Sequence, residues 1–174
     1  MATLRTGHCI SKVRRSYTRK SKYRKKNYIR AVPTNKIIRY DMGELTKQFP
    51  YRIEITPKLP IQIRHNALES CRQIINRNLL RTCGSEYYLK LNVYPHHVIR
   101  ENKMLTGAGA DRMQTGMQRS FGSPTSIAAQ LKRDQAVFTV KVDKANINNA
   151  KHALKKAAPR MPGQFSIKVS EIKK

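Results

Sequence analysis

From Lys36 onward the apolar positions fall into short runs with recognisable periods. Ile37-Ile38-Arg39-Tyr40 forms the first; Arg52-Ile53-Glu54-Ile55 and Ile61-Gln62-Ile63 then alternate as strands do. Pro57 and Pro60 confine the stretch between them to a sheet edge or a bend, so a twisted two-stranded excursion is expected. Next, Ala67, Leu68, Cys71, Ile74, Ile75, Asn78 and Leu79 recur at steps of three and four, which predicts an amphipathic helix over about 65 to 82, stopped by Gly84. Tyr87 to Tyr94 alternates up to Pro95, and Val98-Ile99-Arg100 reads as its continuation. Ser126 to Leu131 and Ala136 to Val142 predict two strands joined by the polar turn Lys132 to Gln135. Behind Asp143, Ile147, Ala150, Leu154 and Ala157 have helical spacing, and Pro159 and Pro162-Gly163 end that helix before a last strand carrying Phe165, Ile167 and Val169. This order predicts an α+β fold, a mainly antiparallel sheet with two helices covering one face.

Two segments stand outside these periods. Residues 101–123 hold Gly107, Gly109, Gly116 and Gly122 with Met104, Met113 and Met117, and a connection of that length is either functional or disordered. The methionines are read as filling a small core within the loop, the alternative being adaptable contacts to a partner. The other segment is residues 1–35, a basic arm ahead of a single domain at 36–174. The first forty residues carry 13 Lys or Arg and meet no acid until Asp41. Tyr17, Tyr23 and Tyr28 interleave there with Arg14, Arg15, Arg19, Lys20, Lys22, Arg24, Lys25, Lys26 and Arg30, so phosphate-pairing groups alternate with rings able to stack on bases. By itself such an arm buries too little apolar surface to order.

Charge extends this picture to the whole chain. Over 174 residues, 36 Lys plus Arg face 10 Asp plus Glu, a net charge of +26 that calls for a polyanionic partner, nucleic acid first. The 39% apolar content is enough for one modest core. The longest stretch without a charged side chain, Ser120 to Leu131, is far short of a membrane span, and the start has no signal-peptide pattern. Cys9, Cys71 and Cys83 are odd in number and make no CxxC pair, as suits a reducing compartment, and Cys71 and Cys83 read as small core residues.

Catalytic readings find little support. Gly107-Ala108-Gly109 followed by Asp111-Arg112 lacks both the Gly-Lys-Ser/Thr ending of a phosphate loop and the GxGxxG of a dinucleotide site. The ten acids are scattered singly, with no pair set for acid-base work. His96 and His97, adjacent in a strand, would point to opposite faces and could not readily chelate one metal. His8-Cys9 lacks a third group to orient a dyad. No enzyme activity, metal or cofactor is expected.

The residues also carry a family resemblance. Ala108-Gly109-Ala110-Asp111-Arg112-Met113-Gln114-Thr115-Gly116-Met117 followed by Ser120-Phe121-Gly122 is similar to a signature of the large-subunit ribosomal protein family numbered sixteen in bacteria and ten-e in archaea and eukaryotes, in its archaeal form. Tyr94-Pro95-His96-His97-Val98-Ile99-Arg100 with Asn102 to Leu105, Lys36 to Gly43, and Pro162-Gly163 support it, and the likeness covers nearly the whole chain. Arg119 stands one position away from the family's usual arginine, Ser123 replaces a common Lys, and Ala31 stands where Gly is usual.

The resemblance implies an α/β hammerhead-like sandwich in the cytoplasmic ribosome, packed on ribosomal RNA at the foot of the central protuberance. It further implies a central loop, with Lys103, Gly107, Gly109, Asp111, Arg112, Gln114 and Arg119, that reaches toward tRNA and the peptidyl transferase centre. The implied partners are large-subunit rRNA, tRNA, neighbouring ribosomal proteins and assembly factors, with no membrane. A free RNA-binding protein or RNA chaperone is the competing reading, and it predicts binding to many RNAs outside particles.

Overall fold

A computed structural model describes residues 13, 15–18, 23, 25, 28–29, 31–114, 116–118 and 120–172. Among these residues eight strands and three α-helices follow in the order β1 (Asp41–Gly43), β2 (Tyr51–Pro57), β3 (Ile61–Arg64), α1 (His65–Cys83), β4 (Tyr88–Leu91), β5 (His97–Glu101), α2 (Ala110–Met113), β6 (Ser123–Leu131), β7 (Phe138–Val142), α3 (Ile147–Ala157) and β8 (Phe165–Glu171). The strands form two sheets, β1-β4-β7-β2-β8 and β3-β6-β5, and every pairing is antiparallel. The α+β expectation holds, with the strands divided between two sheets.

Helix α1 forms where its period predicts, and Leu68, Cys71, Ile75 and Leu79 make one fully buried stripe. It has no side-chain N-cap and no acid in its first turn, so packing rather than capping holds it. Gly84 ends it at a φ of 61°, where a side chain would be strained. Ala150, Ala153 and Ala157 on α3 are small enough for the two helices to approach closely: the Cys71 Sγ lies 3.5 Å from the Ala157 carbonyl. Ile53, Ile55, Leu89, Phe138, Val140 and Val142 supply the sheet side of the same core, and each such side chain contributes about 1.5–3 kcal/mol on burial.

Ile37 and Tyr40 join the core from an extended segment, and strand pairing begins at Asp41. Two expectations are corrected. β2 and β3 do not pair with each other: β2 lies between β7 and β8, and β3 lies against β6. Pro57 thus ends an interior strand at its last position, opposite Phe165. Finally, Val98–Arg100 does not continue the strand at Tyr88–Leu91. Asn92 donates to the Val137 carbonyl, the chain turns through Pro95, and β5 enters the other sheet.

The cysteines agree with their reading as unpaired residues. Cys71 and Cys83 are free, and burial pushes the Cys71 thiol up to about 12, which removes its thiolate reactivity. Cys9 and His8 lie outside the described residues.

Candidate RNA interface

The arm is tied to the three-stranded sheet through Tyr17. Its backbone N–H donates to Nδ1 of His97 at 2.8 Å, and its carbonyl accepts from Val98 at 3.0 Å, on the side of β5 away from β6. Its hydroxyl donates to the Tyr28 carbonyl at 3.2 Å. Next to Tyr28, Ile29 is buried with Val98 and Ile127 in a small second core on which Tyr17 packs. Ser16 adds a 2.6 Å hydrogen bond from its hydroxyl to the Gln130 side chain. Among the described residues of the arm, Tyr17 and Ile29 are thus held by two apolar contacts and a few hydrogen bonds.

The Tyr17 ring also links the arm to the base of the central loop. The Arg100 guanidinium lies 4.5 Å from the Tyr17 ring centre and 4.0 Å from that of Phe121, and the two rings meet edge to face at 6.0 Å. A guanidinium held by two aromatic rings gains cation–π attraction and is fixed in direction. Arg100 and Phe121 stand in the motifs that carry the resemblance but are given no site role by it; no Phe, Tyr or Trp lies between Tyr94 and Phe121, so no local pattern marks the pair and only the fold brings them together.

Between Asn102 and Met117 the loop is open to solvent but closed at its neck. The Gln114 side chain accepts from the Leu105 N–H at 2.9 Å and donates to the Leu105 carbonyl at 3.0 Å, pairing with it as a strand would. Within that neck Gly107 and Gly109 take φ of 143° and 78°, and the chain makes the single turn α2. Lys103, Asp111 and Arg112 are exposed, with Asp111 and Arg112 on α2. The methionines do not fill a loop core: Met104, Met113 and Met117 are 52%, 76% and 53% exposed, because a neck held by one polar side chain encloses no interior. They present soft apolar surface outward, the reading set second above.

Of the arm residues named above, Arg15 and Lys25 are described and exposed; Arg14, Arg19, Lys20, Lys22, Arg24, Lys26 and Arg30, with Arg119 of the loop, lie outside the described residues. Among the described residues no group of three or more His, Cys, Asp or Glu could hold a metal. Nor is any helix among them long and apolar enough to cross a membrane. His96 is exposed against Tyr94, whereas His97 is half-buried.

His97 gives the docking of the arm a pH dependence. Burial and then the Arg100 charge hold its pKa below the ordinary value, and its Nδ1 can accept from Tyr17 only when unprotonated. His65 repeats the arrangement: its Nδ1 accepts from the Lys36 N–H at 3.2 Å, and burial followed by Lys36 and Arg64 lowers its pKa. A depressed histidine pKa means that the undocked state binds more protons, so docking is complete above about pH 6.5 and weakens as pH falls from there toward the docked pKa. Amide exchange at Val98 is expected to quicken over that interval, after correction for intrinsic rates, and His97→Gln, uncharged throughout, is expected to flatten the change.

Comparison with known proteins places this geometry in a family. Residues 18–168 match the family described as ribosomal protein L16p/L10e. The protein named large ribosomal subunit protein uL16 of Methanococcus maripaludis strain C7 is 42% identical over 170 residues, 97% of this chain and 95% of the relative. Its namesake in Staphylothermus marinus is 45% identical over 141 residues, covering 80% and 81%, and that of Hyperthermus butylicus 40% over 166 residues, covering 95% and 92%. The stretch matched takes in the neck of the loop, the whole three-stranded sheet and all but the last residues of the five-stranded one, and the chain belongs to the ribosomal protein L16p/L10e family.

Proposed function

We propose that the chain is held on ribosomal RNA near the central protuberance by its basic arm, and that its central loop helps to position tRNA close to the peptidyl transferase centre. Family membership makes it a structural constituent of the large ribosomal subunit, acting in translation in the cytoplasm and not as an enzyme. The finer reading is carried by one arrangement: an outward loop, closed at its neck by Gln114 and Leu105, whose base at Phe121 is joined to the arm through Arg100 and Tyr17. Arm cations neutralise phosphate, and A-form RNA is recognised largely by shape, so this role requires no reacting group. In this reading Arg14, Arg15, Arg19, Lys20, Lys22, Arg24, Lys25, Lys26 and Arg30 meet rRNA, while Lys103, Gly107, Gly109, Asp111, Arg112, Gln114 and Arg119 lie toward tRNA. Neighbouring ribosomal proteins and assembly factors complete the partners.

The loop is tested by replacing residues 106–113 with a short Gly/Ser linker that leaves Gln114 and Leu105 in place. Subunits are expected to retain the protein and to lose tRNA occupancy, read by filter binding; wild-type occupancy would overturn the assignment. The arm is tested by neutralising Lys20, Lys22, Arg24, Lys25 and Lys26 together. At about 0.7–0.9 per lost phosphate contact, the slope of log affinity against log salt for an rRNA fragment is expected to become shallower by about 3.5–4.5. An unchanged slope would assign the contacts to the domain at 36–174.

A further inference from the structure

Tyr40, Tyr94 and His96 form a cluster of rings whose inner member, Tyr40, packs against the main core and whose outer members, Tyr94 and His96, are exposed. Tyr40 and Tyr94 stack with centroids 5.7 Å apart and planes 17° from parallel, and the His96 ring lies 4.7 Å from Tyr94 at 45°. Tyr94 touches both rings and is still 49% exposed, and His96 is exposed as well.

The cluster is held in place before any ligand arrives. The Tyr40 hydroxyl accepts from the Asn35 amide at 3.0 Å, and its carbonyl accepts from the Leu91 N–H at 2.8 Å at the end of β4. Beyond Tyr94, Pro95 fixes one backbone angle and the His96 N–H donates back to the Tyr94 carbonyl at 3.0 Å. Rings fixed by backbone and amide bonds can receive a flat ligand with little further ordering.

Charge favours one class of ligand. Lys36 and Arg39, in the segment leading to Tyr40, are exposed. Asp41, the adjacent acid, is already engaged by the Tyr88 hydroxyl at 2.6 Å and faces the Lys90 ammonium at 3.9 Å. An open aromatic surface with exposed cations beside it suits an unpaired base whose own phosphates approach Lys36 and Arg39.

We propose that Tyr94 and His96, backed by Tyr40, are a stacking platform for one unpaired nucleobase of RNA in the large subunit, a contact separate from the arm and the central loop. The proposal rests on the reading that the chain packs on ribosomal RNA. Its test is irradiation at 254 nm of large subunits containing the full chain, with and without added tRNA, followed by mass spectrometry of the peptides.

A nucleotide adduct on Tyr94 or His96 is expected. In subunits free of tRNA it identifies a ribosomal RNA base, and an adduct that needs tRNA identifies a tRNA base; either supports the platform. Tyr94→Phe is expected to keep the adduct. Tyr94→Leu is expected to lose it and to raise the 2′-hydroxyl acylation of the partner nucleotide several-fold, with thermal unfolding of the isolated protein little changed. Adducts on arm peptides without any on Tyr94 or His96 would overturn the platform and leave the rRNA reading standing. No adduct anywhere in the chain would overturn both, and a crosslink from Tyr94 to another protein would replace the base with a protein partner.

Discussion

Gly43→Ala is expected to lower the midpoint of thermal unfolding by about 6–12 °C, the shift that about 3 kcal/mol produces in a domain of this size. Gly43 ends β1 at a φ of +87°, and a Cβ there would fall 2.1 Å from the Tyr87 carbonyl oxygen and 3.0 Å from its carbon. Left-handed backbone alone costs a residue with a side chain roughly 1–2 kcal/mol. The overlap is with backbone, so it cannot be relieved by a rotamer change, and overpacking of this kind costs about 1–3 kcal/mol further. The same carbonyl accepts the Glu44 N–H at 2.8 Å, so the strand cannot retreat without losing that bond. Calorimetry checks the midpoint, and amide exchange at Glu44 checks the place. A midpoint within about 2 °C of wild type would show that β1 is free to move aside.

Glu69→Ala is expected to cost about 3–5 kcal/mol, because it strands a buried guanidinium. Glu69 and Arg72 are 8% and 9% exposed, and the pair is bidentate, with Arg72 Nε donating to one carboxylate oxygen at 2.8 Å and Nη2 to the other at 2.6 Å. The Gln73 amide also donates to Glu69, at 3.1 Å. The remaining Arg72 nitrogen, Nη1, faces only the Met42 sulfur, at 2.9 Å, a weak acceptor that could not replace the carboxylate. Burial works to raise the Glu69 pKa, but the hydrogen bonds from Arg72 and Gln73 outweigh it and leave the value below its ordinary level. A lowered carboxylate pKa means that this stabilisation is complete above the unfolded value of about 4.3 and is lost as pH falls through the folded one. Urea unfolding at pH 7 and at pH 3 is expected to show a smaller mutant penalty in acid, by about 1.4 kcal/mol for each pKa unit by which the folded state lowers Glu69. Replacing both partners by apolar residues of similar size, Glu69→Leu with Arg72→Met, is expected to recover most of the loss. Failure of the pair to recover would mean that Glu69 holds more than Arg72.

Helix α1 was legible because its stripe, from Ala67 to Leu79, runs for more than three turns at one period, and α3 because alanines at helical spacing lie between Asp143 and two prolines. Partnership between strands was not. Alternation in Arg52 to Ile55 and in Ile61 to Ile63 records which side chains face a core, and it carries nothing about which strand lies alongside. The nearest strand in sequence was therefore the wrong partner for both. The break between β4 and β5 was written as Pro95, but a proline reports a bend and not a change of sheet.

The loop's place was legible from its glycines and its lack of period, while the Gln114 neck was not, since one side chain pairing with a backbone nine residues away has no pattern. The arm's charge predicted its partner class. Its docking depends on two apolar groups, Tyr17 and Ile29, among many cations, and on His97, whose value as an acceptor appears only once β5 is placed.

The position of β2 between β7 and β8 has a consequence for the order of events during synthesis. β2 spans Tyr51–Pro57, yet its neighbours come from Phe138–Val142 and Phe165–Glu171, close to the end of the chain. A growing polypeptide can form α1 early, since that helix needs only local contacts, but its larger sheet lacks both neighbours of its interior strand until translation is nearly complete. Closing contacts so distant in sequence is intrinsically slow and leaves apolar strands uncovered meanwhile. The basic arm and the loop are therefore made and exposed before the sheet can close, and a chain that stops short of Phe165 leaves one side of β2 permanently open.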